Sequence, residues 1–263
     1  MTIFATFCPR GLALVVLLLL GALPLSLRAE WKITSATSSP NESIEHWKTE
    51  LSDDATGEDA TVHAAVFATR AATLRVIDQP DAPRQSLAEV LNHSGALAGV
   101  NGGYFDPQDA PLGLLVSDGR VLSKQRQAKL LTGVLFASGN RVDIVRASRF
   151  AMNKKIKAAR QCGPLLVDGA SPVAGLNDTR PARRTFAAVD GKGHAALGVC
   201  SAVSLAQLGK ILALTNGVGK IKVARALNLD GGSSSAFWFK GGFSQGEFKT
   251  VRDFVAIVPS PTR

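Results

Sequence analysis

Short apolar runs bounded by Gly, Pro, Asn and Asp recur along most of the chain, and this rhythm predicts strands far more often than helices. Residues 44–51, 62–67, 73–77, 96–100, 113–116, 121–122, 134–136 and 142–145 read as strands, as do 161–167, 186–189, 195–200, 226–229, 236–239 and 254–258. Residues 35–43 read as loop, and 52–59 as an acidic turn region. Ser86 is placed to cap a helix with Leu87, Val90 and Leu91 on its inner face; Ser204 caps one with Leu205, Leu208, Ile211 and Leu212 inward. Met152, Ile156 and Ala159 fall at roughly helical spacing and predict a short surface helix within 147–160. Many short mixed strands with two or three helices predict an α+β single domain, without a regular βαβ repeat.

Two of these strands end alike. Residues 96–100 deliver Asn101-Gly102-Gly103-Tyr104-Phe105-Asp106-Pro107, and residues 226–229 deliver Asp230-Gly231-Gly232-Ser233-Ser234-Ser235. Glycines let backbone approach a ligand closely, serines offer hydroxyl and amide donors, and Asp230 adds a carboxylate where a strand stops. Such an arrangement suits a polar, anionic ligand. Asp-Gly and Gly-Gly are also common hairpin turns, and Asp118-Gly119, Asp168-Gly169 and Asp190-Gly191 read as ordinary ones. The three serines after Gly232 set the Asp230 stretch apart, because a tight turn needs no such run.

Composition adds export. Arg10, the apolar run 11–23, Pro24 and a small-residue ending at Ala29 have the form of a secretory signal over residues 1–29, with an uncleaved membrane anchor as the competing reading. Residues 30–60 then form a polar lead segment before a domain over 61–259. A periplasmic or secreted location follows, with membrane contact only through the signal. The formal net charge of +9 suits an anionic sugar-phosphate or polysaccharide. No basic cluster interleaves with aromatics, which argues against nucleic acid. Cys162 and Cys200 remain after the signal and are a disulfide candidate in an oxidising compartment; neither has metal-ligand spacing, so no cofactor is expected.

The motifs Asn101-Gly102-Gly103-Tyr104-Phe105, Cys162-Gly163-Pro164-Leu165-Leu166-Val167, Arg183-Arg184-Thr185, Ser201-Ala202-Val203-Ser204-Leu205 and Leu229-Asp230-Gly231-Gly232-Ser233-Ser234 occur in the order seen in the phosphodiester glycosidase family, which this chain resembles from about Val62 to Val258. The resemblance implies hydrolysis of a sugar-1-phosphodiester, such as an N-acetylglucosamine derivative, at the glycosidic carbon–oxygen bond. A phosphate monoester is a fair leaving group, so the site needs a cation for the phosphate and a carboxylate near the anomeric carbon. Arg184, or Arg183 in its place, suits the phosphate, since adjacent strand residues face opposite sides. Asp230 is the candidate carboxylate as nucleophile, base or electrostatic stabiliser. Asn101 is placed to bond the sugar or orient a water, and Tyr104, the one tyrosine, to stack on a sugar ring. Gly102, Gly103, Gly163, Gly231 and Gly232 would let the ligand approach, with Ser233 and Ser234 bonding it. Asp106 is a second carboxylate or a turn residue. Two rivals stay open: a phosphodiesterase breaking the phosphorus–oxygen bond with a divalent cation on Asp230 and Asp106, and a glycan-binding protein without turnover. The family often has a third glycine after the aspartate where this chain has Ser233, so its sugar need not be N-acetylglucosamine.

Overall fold

A computed structural model describes residues 30–261. The expected export signal, residues 1–29, lies outside the described residues. The strands are β1 (Trp31–Asn41), β2 (Ile44–Asp53), β3 (Glu58–Ala68), β4 (Ala72–Asp78), β5 (Ala98–Asn101), β6 (Leu115–Ser117), β7 (Arg120–Ser123), β8 (Gly133–Ser138) and β9 (Arg141–Arg146). They continue as β10 (Ile156–Cys162), β11 (Leu165–Asp168), β12 (Ser171–Pro172), β13 (Ala182–Val189), β14 (His194–Val203), β15 (Arg225–Asn228), β16 (Phe237–Phe239), β17 (Ser244–Gln245) and β18 (Asp253–Pro259). Helices α1 (Leu87–His93) and α2 (Leu205–Ala213) each open with a capping box, on Ser86 with Glu89 and on Ser204 with Gln207.

With 49% strand and 9% helix the fold is mostly β, so the expected α+β class holds only roughly. Three sheets carry it: β1-β2-β3-β14-β13-β15-β11-β12, β7-β6-β10-β8-β9 and β17-β16-β5-β18-β4. Every strand pairing among the described residues is antiparallel. One apolar cluster joins all three sheets, through residues such as Leu197, Leu135 and Val255. The other face of the eight-stranded sheet packs on α2, and α1 covers the sheet that holds β5.

Three expectations about elements are corrected. Residues 35–43 are strand, not loop: β1 is an edge strand whose side chains are mostly exposed, so its polar sequence carries no inward face to betray it. Residues 147–160 form one 3-10 turn, Ala147–Arg149, and then β10; Ile156 and Ala159 are buried between strands while Met152 is exposed, so their spacing is no helical face. Residues 161–167 are not one strand, because Gly163-Pro164 breaks the run: β10 pairs with β8 in one sheet and β11 with β15 in another. The lead residues 30–60 supply β1, β2 and the start of β3, paired into the eight-stranded sheet.

The disulfide expectation also fails. Cys162 and Cys200 are free and buried; Cys162 sits in the cluster between the sheets and Cys200 in the cluster under α2, on opposite sides of the eight-stranded sheet. Burial pushes both thiols up to about 12.

A buried ion pair ties the sheets together. Arg160 on β10 and Asp253 on β18 are both 0% exposed, with Arg160 Nε donating to Asp253 Oδ1 at 3.0 Å and Oδ2 at 3.2 Å. Arg160 Nη2 donates to the Tyr104 carbonyl at 2.7 Å and Nη1 to the Leu112 carbonyl at 2.9 Å. One guanidinium therefore holds two sheets and the loop after β5. Breaking such a pair from one side strands a buried charge, at about 3–5 kcal/mol. Arg160→Met should lose stability on that scale in urea unfolding, and Arg160→Met/Asp253→Leu should lose clearly less than Arg160→Met. Equal losses would mean that the charge pairing is not what the pair contributes.

Candidate active site

Strand ends converge on one place: the end of β5 at Asn101, the break at Gly163, the start of β13 at Arg184 and the end of β15 at Asn228. Phe186 pairs with Asn228, and the Leu229 N–H donates to the Thr185 carbonyl at 2.9 Å. Continued by two residues, that antiparallel register puts Asp230 across from Arg184 on the face that also carries Asn228. Asn228 and Asp230 share a face because they are two apart on one extended stretch.

Asp230 is half-buried, and among the described residues it forms no ion pair. Its Oδ1 accepts from the Gly231 N–H at 2.9 Å. Burial raises its carboxyl above the usual aspartate range; the Ser234 hydroxyl and the Gly231 amide pull the other way. Arg184 is half-buried too, and loss of solvent lowers its pKa, although a guanidinium keeps its charge. Its Nε donates to the Val203 carbonyl at 2.9 Å and its Nη2 to the Arg180 carbonyl at 2.5 Å. Nη1 donates to no protein group among the described residues, which leaves one edge of the fork for a ligand. The Tyr104 hydroxyl lies in the same neighbourhood: burial raises it, the Asp230 charge raises it further and the Arg184 charge lowers it.

Tyr104 is fixed by the break between β10 and β11. Its hydroxyl donates to the Gly163 carbonyl at 2.6 Å and accepts from Asn228 Nδ2 at 2.9 Å. Asn228 Nδ2 also reaches the Gly163 carbonyl at 3.0 Å, while Asn228 Oδ1 is buried with no partner. A Cβ on Gly163, at φ +157, would stand 2.2 Å from the Leu130 carbonyl oxygen, so no side chain fits there. The glycine admits neighbouring backbone, not a ligand.

The same holds in the Asn101 stretch. Asn101 is fully buried, with its amide spent inside the protein: Nδ2 donates to the Asp230 carbonyl at 2.7 Å, and Oδ1 accepts from the Thr185 hydroxyl at 2.7 Å and the Ala236 N–H at 3.0 Å. It positions the Asp230 loop and has no edge left for sugar or water. A Cβ on Gly102 would lie 1.8 Å from Asp253 Oδ1, and one on Gly103 2.6 Å from Arg160 Cζ. These two glycines make room for the buried ion pair.

The remaining candidates scatter. Asp106 Oδ1 accepts from the Gln108 N–H at 3.0 Å and the Ala110 N–H at 2.8 Å, closing its own turn. Arg183 points away from Arg184, as strand alternation requires, with its guanidinium 4.2 Å from the ring of exposed Phe248. Gly231 packs on the Arg183 carbonyl, Gly232 at φ +65 has open space around it, Ser233 is exposed and Ser234 is buried beside Asp230. His194 bonds Asp190, and His46 bonds His63, with burial pushing His63 down to about 4. No group of three or more metal-ligating side chains forms among the described residues. Sequence reasoning missed Asn228, Arg160 and Asp253. Alternation from Asp230 could have found Asn228.

Asp230 gives a signed prediction. Its folded-state value is raised above the unfolded value near 3.9. The native state therefore binds the proton more tightly, and stability falls as pH rises from the unfolded value through the folded one. Asp230→Asn, which can still accept the Gly231 amide, should raise Tm at pH 7, with the gain shrinking toward zero below pH 4. A gain that stays constant with pH would show that burial of this charge costs nothing.

Known proteins resemble this chain in sequence and in fold. A family model described as phosphodiester glycosidase matches residues 94–258, more than half of the chain. The uncharacterized protein YigE of Escherichia coli (strain K12) is 32% identical over 93 residues, 31% of this chain and 35% of that protein, so the chain spans about a third of that curated relative's length. The zebrafish N-acetylglucosamine-1-phosphodiester alpha-N-acetylglucosaminidase catalytic domain, auto-inhibited by its pro-peptide, superposes with TM-score 0.65 at 15% identity over 87% of each chain. A hypothetical protein from Synechocystis gives TM-score 0.57 at 15% identity, covering 86% of this chain and 68% of that one. A putative exported protein from Burkholderia pseudomallei gives 0.55 at 14%, covering 78% and 75%. At these identities the solved structures establish likeness of fold, and the matched residues 94–258, which contain Asn101, Arg184 and Asp230, establish that the chain belongs to the phosphodiester glycosidase family.

Proposed function

We propose that the protein is an exported hydrolase that cleaves the glycosidic carbon–oxygen bond of a sugar-1-phosphodiester in an envelope or extracellular glycan. The observation that carries this reading is a half-buried carboxylate, Asp230, without an ion pair, on the same face as an arginine, Arg184, with one free edge. The phosphodiester sits against Arg184 Nη1, and the sugar sits toward Asp230 and Tyr104. Water attacks the anomeric carbon and gives its proton to ionised Asp230, while the bond to the phosphate oxygen breaks. The phosphate leaves as a monoester whose added negative charge Arg184 balances, so no strong general acid is required. Tyr104 and Asn228 shape the wall of the site, and Asn101 keeps the Asp230 backbone in place. The reaction drawn this way uses no cofactor.

The test is product analysis with an alkyl N-acetylglucosamine-1-phosphate diester. Free sugar plus alkyl phosphate is the expected result. Sugar-1-phosphate, with activity abolished by chelation, would instead establish the metal-dependent phosphodiesterase. Asp230→Asn should lower kcat/KM by about 10²–10⁴-fold, as for loss of a proton-accepting group. Arg184→Met should lower it by about 10²–10³-fold, as for loss of one charge-stabilising donor. Because only ionised Asp230 accepts the proton, activity should fall on the acid side, with an apparent pKa above the usual aspartate value of about 3.9. No turnover of several such diesters, with saturable sugar binding retained in Asp230→Ala, would leave a glycan-binding protein.

A further inference from the structure

A second concavity lies away from Asp230. A cavity of about 630 Å³ opens between the β1–β2 turn, the end of β3, the β13–β14 turn and residues 220–222. Trp47, half-buried on β2, forms part of its wall. Cross-strand pairs run Trp47–Ala64, Ala64–Gly198, Gly198–Phe186 and Phe186–Asn228. Trp47 and Asn228 thus occupy one row on the same sheet face, four strand spacings or roughly 19 Å apart.

The charges of this cavity do not cancel. Glu42 is paired with Lys240 at 2.7 Å; Asp190 bonds His194 at 2.7 Å and Glu45 accepts from the Trp47 indole N–H at 2.9 Å, and these two carboxylates keep their charge. Lys192, Lys220 and Lys222 also line it, are exposed, and form no ion pair among the described residues. Lys220 Nζ stands 5.5 Å from the Trp47 ring centroid. The ring itself is held: Glu45 takes its N–H, and a Cβ on Gly219 would lie 2.8–3.0 Å from its atoms, so the Gly219 backbone packs directly on the indole. Three ammonium groups against two such carboxylates leave a positive excess around a fixed aromatic wall, which suits a ring-shaped ligand that carries negative charge.

We infer that this cavity is a second binding site, separate from the Asp230 site, for an anionic saccharide. The ammonium groups meet its carboxylates or phosphates, and Trp47 meets a sugar face. The inference rests on the cavity alone and holds whether or not the Asp230 site turns over a phosphodiester.

The probe is a galacturonic acid tetrasaccharide, titrated into the full chain while tryptophan fluorescence is followed, with calorimetry in parallel. Trp31 and Trp238 are buried, so a ligand in this cavity should report through Trp47. The expected result is saturable binding that is weakened at least tenfold in Lys192→Ala/Lys220→Ala/Lys222→Ala, with the fluorescence change absent in Trp47→Phe. Lys154→Ala/Lys155→Ala/Lys157→Ala removes the same charge from exposed positions elsewhere and should bind like the parent. Equal weakening in both triple variants would reduce the effect to overall charge and overturn the site. Equal binding of the methyl-esterified tetrasaccharide would overturn anion recognition, and displacement by inorganic phosphate at matched concentration would overturn the saccharide. Absence of binding would overturn the whole inference.

Discussion

The Arg160–Asp253 pair is the constraint on which the site depends. Two opposite charges without solvent are tolerable only when every remaining donor and acceptor is met, and here backbone carbonyls at Tyr104 and Leu112 and the Gly103 amide meet them. That requirement dictates the residues after β5. Gly102 and Gly103 must lack side chains because the ion pair occupies the space, and the chain leaving them must turn so that its carbonyls face Arg160. Tyr104 is delivered to the Gly163 carbonyl as a result. A charge pair buried from solvent thereby sets where the wall of the candidate site stands.

Much of the fold could be read from the chain because most strands carry an apolar face that the core demands. β3, β8, β14 and β18 were legible for that reason. β1 was not: at the sheet edge only its backbone is used, and its serines and threonines resemble a loop. The 147–160 region misled because three apolar residues at near-helical spacing also fit a strand with a preceding turn, and periodicity cannot separate the two over so short a run. At the site, Asp230 and Arg184 stand out in the sequence as a carboxylate and a guanidinium near strand ends, and the strand register brings them to one face. Asn101, Gly102 and Gly103 looked like ligand contacts in sequence. The residues that crowd the two glycines, Asp253 and Arg160, and the partners of Asn101, Thr185, Asp230 and Ala236, lie far along the chain, and nothing local announces those pairings.

Asp230 shows how the proposed function and stability oppose each other in this fold. Its backbone is clamped from two sides, by the Asn101 amide on its carbonyl and by its N–H on the Gly102 carbonyl at 3.0 Å. Its side chain is left with the Gly231 amide and the Ser234 hydroxyl, and no cation pairs with it among the described residues. Rigid, fully bonded groups thus hold a group that is itself poorly solvated, the relation expected if Asp230 is the reactive residue proposed above.

The rim beside that clamp is built on a different principle. Phe248 is 83% exposed beneath the Arg183 guanidinium, and its segment hangs on the Ser233 carbonyl, which accepts the Phe248 and Lys249 amides. Those bonds involve backbone, so they survive exchange of the side chains at 233, 248 and 249. Residues there can diverge freely while Asn101, Asp230 and the ion pair stay unchanged. Exchange at those few positions would therefore reshape the rim and its charge without disturbing the interior.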